Sequence, residues 1–390
     1  ALNPPVLERG IDHLSSCGCN LSGKRQLSLQ SIPRYGYFKY KARIFVLRNV
    51  FPFSDYPFLC AQTADAPMKH WSKIQETGGN GFALRLFLFI YNILHIKYIA
   101  LLLRPVTFFY YCFSPAKRSV SAAFFQRIAQ YNPAVTASAQ TVYRHFYSFS
   151  LSLVERIAAW KQEIKVEDLI IKNCDVYQEI ITNLKEKKGC FFICSHLGNI
   201  DLLRALAIQD NKDGVHNTKV NIIIDTAMSP RFNAFMRSIQ EKFGINVINS
   251  RTVGIETALL LQEKLDSGEI IVVAGDRTPS EHTQRAVLLP FLGEEIALPY
   301  GAFLLPVILK APLYYFFALR ENDAFVSKYD FFLYKPLINR EKKKKDEIIR
   351  ALMHEYVALL EEKALAYPLQ WYNFFDIWAA AKVDDNEPIG

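Results

Sequence analysis

The densest chemistry in this chain lies in one segment, Cys190-Phe191-Phe192-Ile193-Cys194-Ser195-His196-Leu197-Gly198-Asn199-Ile200-Asp201. It sets an imidazole, His196, five positions before a carboxylate, Asp201. Neutral imidazole can take a proton from a hydroxyl nucleophile. A carboxylate on its other nitrogen can fix one tautomer and stabilise the imidazolium that forms. Ser195 is the rival nucleophile, but adjacent residues on a strand point to opposite faces. No Gly-x-Ser-x-Gly elbow is present. Cys194 lies inside the apolar run, and both it and Ser195 read as structural. Spacing alone leaves His196 and Asp201 open between catalysis and a strand-end His followed by a capping Asp.

The flanking pattern says what must position them. Gly189–Cys194 is a short apolar run of buried-strand type. Gly198 allows a tight turn, and a helix pattern covers Asn199–Ile208 with Asp201 in its first turn. His196 thus falls at the carboxyl end of a strand, where open α/β sheets bind their ligands. Further strands are expected at Val220–Ile224, Ile245–Ile248, Ile270–Ala274, Leu313–Leu319 and Val326–Tyr334. Helices are expected at Arg231–Phe243, Gly254–Leu265 and Asp346–Ala366, and over Val120–Ile164 with a break at Tyr131-Asn132-Pro133. This alternation predicts an α/β fold, a mainly parallel sheet flanked by helices. Asp276 and Arg277 follow one of the strands, and Arg231 and Asn233 follow Ser229-Pro230 at another connection. Arg277 is open between a role at the strand-end site and an ion pair with Asp276 or a surface role. Arg231 and Asn233 are open between a site role and helix-start roles.

With 390 residues, 51% hydrophobic and 22% charged, the chain is too long for a disulfide-stapled mini-domain and too apolar for a disordered one. Its formal net charge of +8 suits an acidic partner. No zinc-finger spacing or aromatic-interleaved basic strand points to nucleic acid. Seven cysteines, scattered and odd in number, read as reduced thiols rather than a disulfide framework. No metal site is expected, Cys17 and Cys19 lacking a nearby His/Cys pair at zinc spacing.

Residues 1–67 lack a sustained period and stand as an unassigned extension, with the functional unit expected from about Met68. Residues 68–115 read as an apolar, membrane-associating helical segment. Arg85, Asn92, His95, Lys97 and Arg104 interrupt it, so two interfacial helices fit better than one span of about 20 apolar residues. Pro105 is expected to break any helix there. The alternative is a buried helical hairpin. Arg340-Glu341-Lys342-Lys343-Lys344-Lys345 is a basic run that suits a solvated helix start or an anionic partner. Residues 116–380 form the expected catalytic domain, and 381–390 a tail.

His196-Leu-Gly-Asn-Ile-Asp201 resembles the His-x4-Asp/Glu motif of the lysophospholipid acyltransferase superfamily, in the form of the bacterial lipid A lauroyl/myristoyl acyltransferase branch. Ala274-Gly275-Asp276-Arg277 resembles a second site motif. Leu289-Pro290-Phe291-Leu292-Gly293 with Pro299-Tyr300-Gly301 resembles its Pro-Phe-x-Gly stretch, and Tyr367-Pro368-Leu369-Gln370-Trp371-Tyr372-Asn373-Phe374 its closing Pro-x-Gln-Trp segment. The order is kept from about Met68 to Trp378. Asp201 in place of Glu, and the ending Trp371-Tyr-Asn-Phe-Phe-Asp-Ile-Trp378, resemble relatives of aryl polyene or related lipid pathways.

The resemblance implies a glycerol-3-phosphate acyltransferase-like fold and an O-acyltransferase. His196 would be the general base and Asp201 its orienting carboxylate. Gly198, Asn199, Asp276, Arg277, Arg231 and Asn233 would line the substrate site. The donor would be an acyl-carrier protein or acyl-CoA thioester, used as substrate with no resident cofactor. The acceptor would be a lipid hydroxyl at the inner-membrane surface, on the cytoplasmic side. Late lipid A acylation and glycerophospholipid acylation are the enzyme alternatives; a thioesterase or a catalytically silent lipid-binding protein are the others.

Overall fold

The structure, a computed structural model, describes residues 91, 96–161, 163–164, 168–203, 218–224, 245–250, 253–277, 286–322, 328–338 and 343–379. The expected extension 1–67, most of the 68–95 stretch, the Arg231–Phe243 helix, the head of the basic run and the tail lie outside these residues. Three helices come first: α1 (Ile96–Cys112), α2 (Pro115–Tyr131) and α3 (Ala139–Trp160). Then follow β1 (Leu169–Ile171), α4 (Cys174–Lys185), β2 (Cys190–Cys194), β3 (Val220–Ile224), β4 (Ile245–Asn249), α5 (Ile255–Asp266) and β5 (Ile270–Ala274). The chain continues through β6 (Ala286–Phe291), β7 (Glu294–Pro299), α6 (Tyr300–Ile308), β8 (Leu313–Arg320), β9 (Tyr329–Tyr334) and α7 (Lys345–Ala366).

Seven strands form one sheet in the order β1-β9-β8-β2-β5-β3-β4. All neighbours run parallel except β8 and β9, which are antiparallel. β2 is central and buried at every position. Alternate residues feed two cores, as a period of two requires. Phe191 and Ile193 join the cluster with α6, α7 and the β6–β7 hairpin; Cys190, Phe192 and Cys194 join the other with α4 and the end of α3. The β6–β7 hairpin, which periodicity does not announce, turns at Leu292 and Gly293, with φ of 49° and 79°.

Pro105 does not break its helix: α1 runs through it. A proline inside a helix removes one bond to the carbonyl four residues back. Here that carbonyl belongs to Leu101, an exposed residue, so the loss falls on an open face. Among the described residues no helix is long and apolar enough to cross a membrane. α1 nevertheless exposes Leu101 (60%), Val106 (63%) and Phe109 (62%), and Phe113 just past its end is 81% exposed.

Candidate functional site

The register of the central strands builds the site. β2 and β5 pair parallel with Cys194 opposite Ala274, and Gly275 N donates to Cys194 O at 2.8 Å. Two residues further along both chains, His196 meets Asp276. His196 Nδ1 lies 2.8 Å from Asp276 Oδ1, and its backbone N–H donates to Asp276 Oδ2, also at 2.8 Å. The carboxylate that orients the imidazole is therefore Asp276, not Asp201. A one-chain motif brings Asp201 near in sequence; a parallel strand pairing brings Asp276 near in space.

The Asp276 side chain is fully enclosed, whereas that of His196 is 35% exposed. With Nδ1–H donating to the carboxylate, Nε2 is the unprotonated nitrogen of the neutral ring. Among the described residues nothing is bonded to it. Burial lowers the His196 pKa below its ordinary value, Arg277 lowers it further, and Asp276 opposes both. Burial would raise the Asp276 pKa, but His196 and Arg277 hold it below the usual carboxylate range. The pair thus rests as neutral imidazole on ionised carboxylate.

Asp201 does other work. Its Oδ2 lies 2.5 Å from Arg156 Nε of α3. It sits in a short 3-10 turn, Ile200–Leu202, capped by Asn199, whose Oδ1 accepts from Asp201 N at 3.1 Å. The expected Asn199–Ile208 helix is described only as far as 203. Gly198 has φ +83°, and a Cβ there would stand 2.1 Å from Ala318 O. Only glycine fits this approach to β8. Gly198 and Asn199, expected in substrate binding, thus shape the turn.

The backbone amides of the turn, residues 196–199, are spent. His196 N goes to Asp276, Leu197 N to Ser195 Oγ, Gly198 N to Gln370 O and Asn199 N to Ala318 O. The turn therefore offers no amide pair for an oxyanion. Positive charge comes instead from Arg277 and Arg156, both close enough to depress the His196 pKa. Burial lowers the Arg277 pKa to about 10, still cationic at neutral pH. Asp276 opposes that effect, its charge favouring the guanidinium cation. Arg277 Nε donates to Asn373 Oδ1 at 2.9 Å, its Nη2 to Tyr372 O at 3.1 Å, and its guanidinium lies 5.3 Å from the Phe375 ring centroid. Arg231 and Asn233 lie outside the described residues.

The closing segment is a strap across the site. Leu197 and Trp371 form an antiparallel bridge. Tyr372 N donates to His196 O at 3.1 Å. The Gln370 side chain accepts from Arg320 N and donates to Arg320 O, at 2.7 and 2.8 Å. Below it lies a polar network that composition does not reveal. His145, Ser148, Ser152 and Glu155 form one face of α3 at helical spacing, and all four are buried. His145 Nε2 reaches Trp371 O at 2.7 Å and its Nδ1 reaches Ser121 Oγ at 2.8 Å. Arg320, 1% exposed, pairs with Glu155 at 3.0 Å and donates to Tyr372 Oη at 3.2 Å. Sequence reading missed Arg156, Asn373 and this stripe; its one signal is a polar run recurring every three or four residues on a helix.

Cys194 is buried with Sγ 3.2 Å from Val273 O, and burial pushes its thiol pKa well up. Among the described residues no group of three or more His, Cys, Asp or Glu is placed to hold a metal ion. A comparison with curated proteins finds no match. The family described as Bacterial lipid A biosynthesis acyltransferase matches residues 135–379, more than half of the chain, from the loop before α3 to the end of the strap segment.

Proposed function

Since the chain belongs to the bacterial lipid A biosynthesis acyltransferase family and is an acyltransferase, we propose that it moves a fatty acyl group from a thioester to a lipid hydroxyl, with His196 as general base and Asp276 as its orienting partner. One observation carries this: the 2.8 Å contact from His196 Nδ1 to an enclosed carboxylate engages one ring nitrogen and leaves Nε2 for the proton transfer, on a side chain that is partly exposed. Nε2 takes the proton of the acceptor hydroxyl as its oxygen attacks the thioester carbonyl. The tetrahedral oxyanion is stabilised by the positive charge of Arg277. Collapse breaks the C–S bond, and the proton on Nε2 passes to the departing thiolate. Asp276 keeps the ring in the tautomer this requires and stabilises the imidazolium. No acyl-enzyme is needed, and Ser195, whose Oγ accepts from Leu197 N, takes no part.

The donor is acyl-carrier protein or acyl-CoA, and the acceptor an amphipathic lipid or lipid precursor on the cytoplasmic side of the inner membrane. The exposed apolar row of α1 supports an interfacial anchor ahead of the 116–380 domain. Arg104, Lys117 and Arg118 stack on Tyr147, Tyr110 and Tyr111, putting cations beside it. Lys and Arg beside apolar groups can reach anionic headgroups while the apolar row enters the acyl boundary.

The test is acyl transfer by detergent-solubilised protein, with long-chain acyl-carrier protein or acyl-CoA and total membrane lipid, in wild type and His196→Ala. Labelled lipid that the substitution abolishes supports the reading. Free fatty acid without acceptor means a thioesterase. Equal turnover in both proteins rejects His196 as base.

A further inference from the structure

We propose that Asn373 is a positioning residue: its side-chain amide holds Asp276 and Arg277 in fixed relation to His196, so the strap sets the working geometry of the base. The inference rests on the acyl-transfer reading above. Asn373 is buried. Its Oδ1 accepts from Arg277 Nε at 2.9 Å, and its Nδ2 lies 3.4 Å from Asp276 Oδ2. Asp276 Oδ2 also receives the His196 backbone N–H at 2.8 Å, while Oδ1 faces the imidazole. One amide therefore touches both groups that flank His196, one of each charge.

An amide suits this place for a reason of inventory. It presents one acceptor and two donors with no charge. The acceptor serves a guanidinium, which can only donate, and the donor serves a carboxylate, which can only accept. A carboxylate at 373 would serve Arg277 but repel Asp276. An apolar residue would serve neither. The segment around it is anchored independently: Trp371 by the bridge to Leu197 and by His145, Gln370 by the backbone of Arg320, and Tyr372 by His196 O and Arg320. Asn373 thus stands on a rigid support, which a second shell needs if it is to hold a reacting group to within a fraction of an ångström.

Among the described residues, the charged and titratable groups around His196 come from several elements. Asp276 and Arg277 follow β5, Arg156 is on α3 and pairs with Asp201, and Cys194 is on β2 itself. Tyr356 of α7 donates to Cys194 O, and Tyr372 is on the strap. Of these, Asn373 contacts Asp276 and Arg277 alone, the two whose opposed charges balance at the imidazole.

The experiment compares wild type, Asn373→Ala and Asn373→Asp for kcat, KM and the acid limb of the pH–rate profile. It also follows the His196 titration by NMR of histidine-labelled protein, assigned with His196→Ala. Asn373→Ala is expected to lose about tenfold to a hundredfold in kcat with KM little changed, as misplacement of reacting groups does. Asn373→Asp keeps the Arg277 contact and is expected to recover part of that loss above pH 8. Both should shift the His196 titration, Asp upward by about one pH unit because it adds a negative charge beside the dyad. Folded variants with a wild-type His196 titration would overturn the proposal, as would a loss confined to KM. If His196→Ala transfers acyl groups as well as wild type, the assignment of His196 as base fails, and the titration still decides whether Asn373 positions the pair.

Discussion

Two histidines held by the same strap have opposite fates. His145 is fully buried, and both ring nitrogens are engaged: Nε2 donates to the Trp371 carbonyl and Nδ1 accepts from Ser121. Burial drops its pKa to about 4. His196 gives Nδ1 to a carboxylate, and its side chain is partly exposed, with no bond to Nε2 among the described residues. Both pKa values are depressed, chiefly by burial. What separates structure from chemistry is whether the second nitrogen is consumed and whether the first faces a neutral hydroxyl or a charge. Of the two, only His196 has a charged partner, a carboxylate that stabilises the imidazolium.

The sharpest way to break this contrast is to remove each ring. His196→Ala should lower acyl transfer by about a thousandfold at an unchanged melting temperature, a general-base loss. His145→Ala should lower the melting temperature, the surviving folded protein still turning over. A stable, inactive His145 variant would reverse the assignment.

Next comes the choice of carboxylate. Asp276→Asn should cost about a hundredfold or more in kcat by favouring the wrong tautomer. Asp201→Asn, which releases Arg156 rather than His196, should cost about tenfold or less. Rates are compared at matched folded fraction, and the opposite order would return the orienting role to Asp201.

Stability against pH sharpens the buried side. His145 titrates near 4 when folded and near 6.5 when unfolded. Between those values the unfolded chain binds the extra proton, so stability is full above about pH 6.5 and falls as pH drops toward 4. The loss reaches up to about 3 kcal/mol, since each tenfold difference in proton affinity between the two states is worth about 1.4 kcal/mol. Urea melts at pH 7 and pH 4.5 would show it, and His145→Gln should flatten this part of the slope. An unchanged slope would mean the ring is not held neutral.

The smallest expected effect is on the acid limb of kcat. Its midpoint should lie below the ordinary histidine value, so the base stays active in mildly acidic buffer. A midpoint above about 6.5 would show that Asp276 outweighs burial and Arg277.

Local pattern carried a large part of this molecule. The apolar runs at 190–194, 220–224, 245–248 and 270–274 are strands in the structure; those at 190–194, 220–224 and 270–274 lie inside the sheet, where both faces are covered, while 245–248 is its edge strand and only partly buried. His196 at the end of the first run, and Asp276 and Arg277 just past the last, follow from the same pattern together with the motif resemblance. Short elements were not legible. β1 has three residues, and the β6–β7 hairpin has no clean apolar–polar alternation in its sequence; α4 does carry a helical stripe, Tyr177, Ile180, Ile181 and Leu184, which the reading of the sequence passed over. The break expected at Pro105 was overridden because the orphaned carbonyl there is exposed.

The amino-acid order alone determined which side chains were available for chemistry and that a histidine would stand at the rim of a parallel sheet, since hydrophobic period and turn residues are properties of neighbours along the chain. Only the tertiary structure decided that its partner is Asp276, 80 positions away, rather than Asp201. That choice depends on the register between β2 and β5, and register is set by how two cores pack against both faces of the sheet. The same packing turned a polar stripe of α3 into a buried support for the strap and brought Asn373 against Asp276 and Arg277.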